Sequence, residues 1–163
     1  MAQLVLSSQR TQQPQQAVGI DWTNPLTRGL VGLYIMQGPS GPIIDATKFN
    51  AAATPVGGPA RVVTRHGRAI QTASTGSKYL SVNKPAGSKL DITGSITCLG
   101  AVNLSAQTTS RSPIISTLDN AQGYYLDITS DPSVRFLINP SEGAVYSGAL
   151  SLNTDYVIGG TYN

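Results

Sequence analysis

The sequence predicts an all-β protein built as an antiparallel β-sandwich, on three observations. Charged residues make up only 12% of the 163 positions, while 17 glycines and 10 prolines supply frequent chain reversals. Few charges with many turn formers disfavour long, salt-bridged helices, so helices are expected to be rare. Short apolar runs recur at roughly 8–12-residue spacing between turn residues, the spacing of sandwich strands. A chain of this length buries a core without disulfide staples. With aromatics at 6%, Val, Ile and Leu must supply most of that core.

Taken in order, residues 7–23 are a compositional outlier. Gln12, Gln13, Pro14, Gln15 and Gln16 are polar, surround a helix breaker and show no hydrophobic period. This segment reads either as a disordered tail or as an extended arm that docks on a partner through Ile20 and Trp22. Trp22 is the only tryptophan and suits plugging a pocket, on its own domain or on a neighbour. The expected organisation is therefore an arm over 1–23 and a sandwich over 24–163. Residues 30–36 form an apolar run after Gly29 and read as a strand. Residues 37–59 are turn-rich and irregular. Two runs, 61–64 and 68–71, flank Arg65-His66-Gly67 as a hairpin. Residues 78–82 alternate in the strand manner, and 84–88 form a loop. The firmest strand is 95–104, followed by 113–117. A second hairpin joins 124–129 to 133–138 through Ser130-Asp131-Pro132. Strands at 144–146 and 155–162 close the list, and no repeat of fixed period is present.

Composition and motifs exclude several chemistries. The net charge is +3 and the pI about 9.2, but the 11 cations are scattered and the tightest group is Arg61, Arg65 and Arg68. Phosphate binding needs converging cations with stacking aromatics between them, so no nucleic-acid partner is expected. Cys98 is the sole cysteine and lies in an apolar run, which excludes an internal disulfide and suits a core residue. The first six residues lack a charged leader and a long apolar stretch, so neither a signal peptide nor membrane insertion is expected. Glycosidase chemistry needs paired carboxylates at one cleft. Glu142 stands alone in a turn at 140–143, and Asp127 has no acidic neighbour two residues away and reads as an outward-facing strand residue. His66 sits in a turn without a nucleophile motif, and one His with one Cys makes no usual zinc set. Neither an enzyme nor a bound cofactor is expected. Calcium is left open only through the loop carboxylates Asp45, Asp119 and Asp131. Tyr124 and Tyr125 are adjacent, so one should point outward and, with Tyr146, offer a stacking surface for a sugar. The plainer reading makes them ordinary strand formers.

Several segments, in order, resemble a known pattern. Pro25-Leu26-Thr27-Arg28-Gly29-Leu30-Val31-Gly32-Leu33-Tyr34 is followed by Gly67-Arg68-Ala69-Ile70, Tyr79-Leu80-Ser81-Val82 and Gly94-Ser95-Ile96-Thr97. Together with Tyr156-Val157-Ile158-Gly159-Gly160-Thr161-Tyr162, these look like a laminin-G/concanavalin-A-like jelly roll. The run from Gln13 to Trp22 into Asn24-Pro25-Leu26 is similar to the opening of such domains in virion proteins of tailed bacteriophages. The resemblance implies a non-enzymatic structural protein located on the virion, made in the host cytoplasm, its arm attached to other virion proteins and its sandwich displayed. A tail fibre, trimeric as a homo-oligomer, fits best. A module recognising host surface glycans, and a capsid decoration or head-fibre protein, are the alternatives. A complete domain of that kind has further strands, so the fold is expected to continue past Asn163 or to be completed by a neighbouring chain.

Overall fold

A computed structural model describes residues 19–36, 38, 40–49, 51–72, 78–83, 88–92, 94–107, 111–117, 123–138, 142–146 and 148–163. The structure is all-β with antiparallel sheets. Beyond the strands, one 3-10 turn at Pro25–Thr27 is capped by the Asn24 side chain, which accepts the Leu26 N–H. The chain divides into two compact units, Met1–Leu90 and Asp91–Asn163. That boundary falls inside the span read from sequence as one sandwich.

In the first unit, β1 (Ala53–Val56) pairs with β4 (Tyr79–Val82), while β2 (Ala60–Thr64) and β3 (Gly67–Gln71) form a hairpin. The hairpin turns at Arg65-His66, as the sequence predicts, and Gly67 supplies a positive φ of 116°. Arg61 reaches from β2 to the Gly38 and Gly41 carbonyls and so ties down part of the glycine-rich loop. Two expectations need correction here. Residues 30–36 form no ladder strand; they make one isolated bridge, between Tyr34 and Asp45. The reason lies in Asp45, whose side chain takes the Leu33 N–H that a ladder partner would otherwise receive. Conversely, β1 lies in a stretch read as irregular. Its Pro55 lacks a donor, which a strand paired on one side tolerates.

The Asp45 carboxylate organises this loop. Oδ1 accepts the Leu33 and Thr47 N–H groups at 3.0 and 2.9 Å, and Oδ2 accepts the Thr47 hydroxyl at 2.7 Å and the Ala51 N–H at 3.1 Å. Burial pushes this carboxyl up, but the four donors together outweigh burial and hold it below its ordinary value. Tyr34 donates to the Ala51 carbonyl at 3.0 Å, and burial, helped by the Asp45 charge, pushes its phenol up to about 12. The signs set a stability window. A lowered carboxyl contributes stability above its unfolded value of about 3.9, lost as pH falls through the lower folded value. A raised phenol contributes stability below about 10, lost as pH climbs toward 12. Protection of the Leu33 and Ala51 amides, taken relative to their intrinsic exchange rates, should therefore fall below about pH 4 and above about pH 10. Asp45→Asn should remove the acid limb and leave the alkaline one. An acid limb unchanged in that variant would assign it to another group.

The second unit is a sandwich of a sheet and a ribbon. The sheet has the order β6 (Ser112–Ser116), β7 (Tyr124–Ile128), β8 (Val134–Ile138), β9 (Glu142–Tyr146). The ribbon pairs β5 (Ile96–Asn103) with β10 (Asp155–Tyr162) over eight rungs, from Asp155 opposite Asn103 to Tyr162 opposite Ile96. Cys98, Ile96 and Ile158 of the ribbon meet Tyr124, Leu126, Ile128, Val134 and Phe136 of the sheet in one buried core, with Leu150 alongside. Two glycines permit the close approach. A Cβ at Gly160 would overlap the Phe136 ring stem, and one at Gly100 would lie 2.7 Å from Ile114. Ile114 is the extra residue of a bulge between Pro113 and Ile115, which turns two consecutive isoleucines toward the core. Burial pushes the Cys98 thiol up to about 11, in keeping with a small core residue. Glu142, read as part of a turn, instead opens β9 opposite Ile138.

Candidate functional site

The residues singled out from sequence are distributed as follows. Gln12, Gln13, Pro14, Gln15, Gln16 and Asp119 lie outside the described residues. Tyr124 and Tyr125 correct an expectation: their rings fall on opposite faces of β7, yet both are buried, at 5% and 6% exposure. Tyr124 joins the core, while the Arg135 guanidinium lies 5.2 Å from the Tyr125 ring centre. Neither ring offers an open face for a sugar in this arrangement. The backbone of Tyr146 pairs with Val134 at the end of β9. Asp127, read as outward-facing, is only 1% exposed. It accepts the Arg135 Nε–H at 3.0 Å and a second guanidinium bond beside it, from the cross-strand position. A charge among apolar neighbours normally faces water; here a bidentate partner directly opposite compensates its burial.

Among the described residues, no three His, Cys, Asp or Glu side chains gather as a metal site. Asp45 is satisfied within its own loop, and Asp131 accepts from the Thr129 and Ser133 hydroxyls. Asp155 accepts from Asn103 across the ribbon.

The first unit carries two shallow hollows that share Val31, Phe49 and Lys89. One, of about 380 Å³, includes Ala51, Ser88 and Leu90; the other, of about 520 Å³, includes Trp22, Arg28, Leu30 and Lys48. Trp22 is 42% exposed and forms part of this wall. Ile20, its companion in the sequence reading, is half-buried. The Lys48 ammonium stands 5.4 Å from the Trp22 ring centre and 5.5 Å from that of Phe49, so two rings fix its position. Arg28, Lys48 and Lys89 contribute three cations to the linings, and among the described residues no carboxylate lines either hollow. The Ser88 hydroxyl is buried without a hydrogen-bond partner among the described residues. Apart from Trp22, this grouping escaped the sequence reading, because its members come from positions 22, 28, 48–49 and 88–89, and each cation looks isolated. The signal that was present is Asp45-Ala46-Thr47-Lys48-Phe49, an acidic turn former followed at once by a cation and an aromatic.

Comparison with protein-family models, with curated proteins and with solved structures returns no match to this chain.

Proposed function

We propose that the chain is a non-enzymatic structural protein of a tailed-bacteriophage particle, of the tail-fibre type, with a jelly-roll body that is displayed and an N-terminal arm that attaches it. The observation that carries this reading is the commitment of its chemistry-bearing side chains to the fold. Asp127 is bound to Arg135, Asp45 to its own loop, and Cys98 to the core. What is left at the surface suits contact rather than catalysis. The outer face of the ribbon carries Thr97, Leu99, Ala101, Val157 and Thr161, all exposed and all uncharged. The ordered resemblance points the same way; of its segments, 67–70, 79–82 and 156–162 lie in strands and 30–34 does not.

The test is to raise antibody fragments against the folded chain and image labelled, purified particles by electron microscopy. Label at the tail is the expected result. Label over the head would transfer the protein to a decoration or head-fibre role, and unlabelled particles containing no copy by mass spectrometry would end the reading.

A further inference from the structure

The groove of the first unit has a feature that its cations alone do not explain. Val31 lines both hollows, and among the described residues neither its N–H nor its C=O takes part in a hydrogen bond. It sits in the stretch 30–33, where the Leu30 N–H is taken by Thr27 and the Leu33 groups by Asp45 and Ala46. Gly32, next along, makes no backbone hydrogen bond either, so two consecutive residues of this stretch are unpaired among the described residues. Backbone with unpaired groups beside an apolar floor can serve as a template for an added strand. Around it stand Arg28, Lys48 and Lys89, and among the described residues none of the three is ion-paired.

We infer that this groove docks an extended acidic peptide segment of another protein, its backbone pairing with Val31 and its carboxylates meeting Arg28, Lys48 and Lys89. Charge complementarity selects the occupant. Residues 12–16 of this chain bring no carboxylate, so its own arm does not match. A single-stranded nucleic acid needs cations that track a phosphate backbone and rings open to stacking bases. Here the ammonium of Lys48 lies against both rings. A sulfated glycan would satisfy the cations but lacks the regularly spaced N–H and C=O groups with which an added strand pairs. The inference rests on the preceding proposal only in taking a protein as partner; the groove can be tested away from any particle.

Trp22 is the sole tryptophan and lines the groove, so its emission reports occupancy without a label. The full chain would be titrated with a short capped peptide of alternating valine and glutamate. In parallel it would be titrated with the valine–lysine counterpart, a single-stranded oligonucleotide and a sulfated oligosaccharide. The expected result is saturable change with the glutamate peptide alone, weakened by added salt as exposed charge pairs are screened. Lys48→Glu and Lys89→Glu should each weaken it about five- to tenfold. Both side chains are exposed, so these variants should fold normally, which amide spectra would verify. Protection of the Val31 amide from exchange should appear on binding. Equal response to the lysine peptide, response only to the oligonucleotide or the glycan, or binding without Val31 protection would each overturn the inference. So would silence toward all four ligands, or self-association of the chain through the groove. Particle labelling bears on none of these outcomes, so the two proposals can fail separately.

Discussion

Replacing Asp127 with alanine is expected to destabilise the second unit by about 3–5 kcal/mol. A fold of this size holds on the order of 0.1 kcal/mol per residue, so such a loss takes a large share of its stability. The cost comes from what remains. Arg135 keeps its charge, its side chain is only 13% exposed, and its bidentate partner is gone. The hydrogen bond to Asp127 now holds the Arg135 guanidinium above its ordinary value, with partial burial working against it. Losing that bond removes the compensation and leaves the burial. Arg135→Met on top of Asp127→Ala should therefore recover most of the loss, since a neutral side chain of similar reach carries no unpaired charge. Chemical denaturation followed by circular dichroism would measure both, whereas Trp22 emission would not, because that residue belongs to the first unit. A single variant within about 0.5 kcal/mol of the parent would mean that water already solvates the pair.

The second large effect is expected at Gly160. It faces Cys98 across the ribbon, and a methyl group there would run into the stem of the Phe136 ring rather than a flexible end. Overpacking of this kind costs about 1–3 kcal/mol, and the immobility of a ring stem places Gly160→Ala at the upper end. Phe136→Ala alone should cost about 3–5 kcal/mol, because the ring is buried in the core. The two changes share one volume, so the double variant should lose clearly less than the sum of the singles. Strict additivity of the denaturation midpoints would refute the contact.

These two sites also show what was legible in the sequence. The strands of the second unit could be read directly, because apolar runs bounded by turn residues predict them whichever face is buried. Which face is buried was less accessible. Alternation presumes that one face meets water, but all five residues of β7 are buried, so the rule placed Asp127 and one of the two tyrosines outside. The Asp127–Arg135 pairing had a trace in the numbering, since each lies four residues from Asp131 at the centre of the predicted hairpin. In the first unit the misreading at 30–36 has a different origin. Apolar composition predicts a strand, but a side-chain carboxylate twelve residues beyond Leu33 took the Leu33 backbone donor on which a ladder would depend. Strand propensity counts neighbours along the chain and cannot see such a competitor. The groove was hidden for the same reason, being assembled from short, separated segments.

The ribbon has a mechanical consequence. Its outermost rung joins Tyr162 to Ile96, so the start of β5 and the end of β10 lie side by side. Tension applied to those two points would load the rungs one at a time, peeling β10 from β5 like a zipper, instead of straining all eight together. Such a geometry yields at low force and closes again when the load is removed.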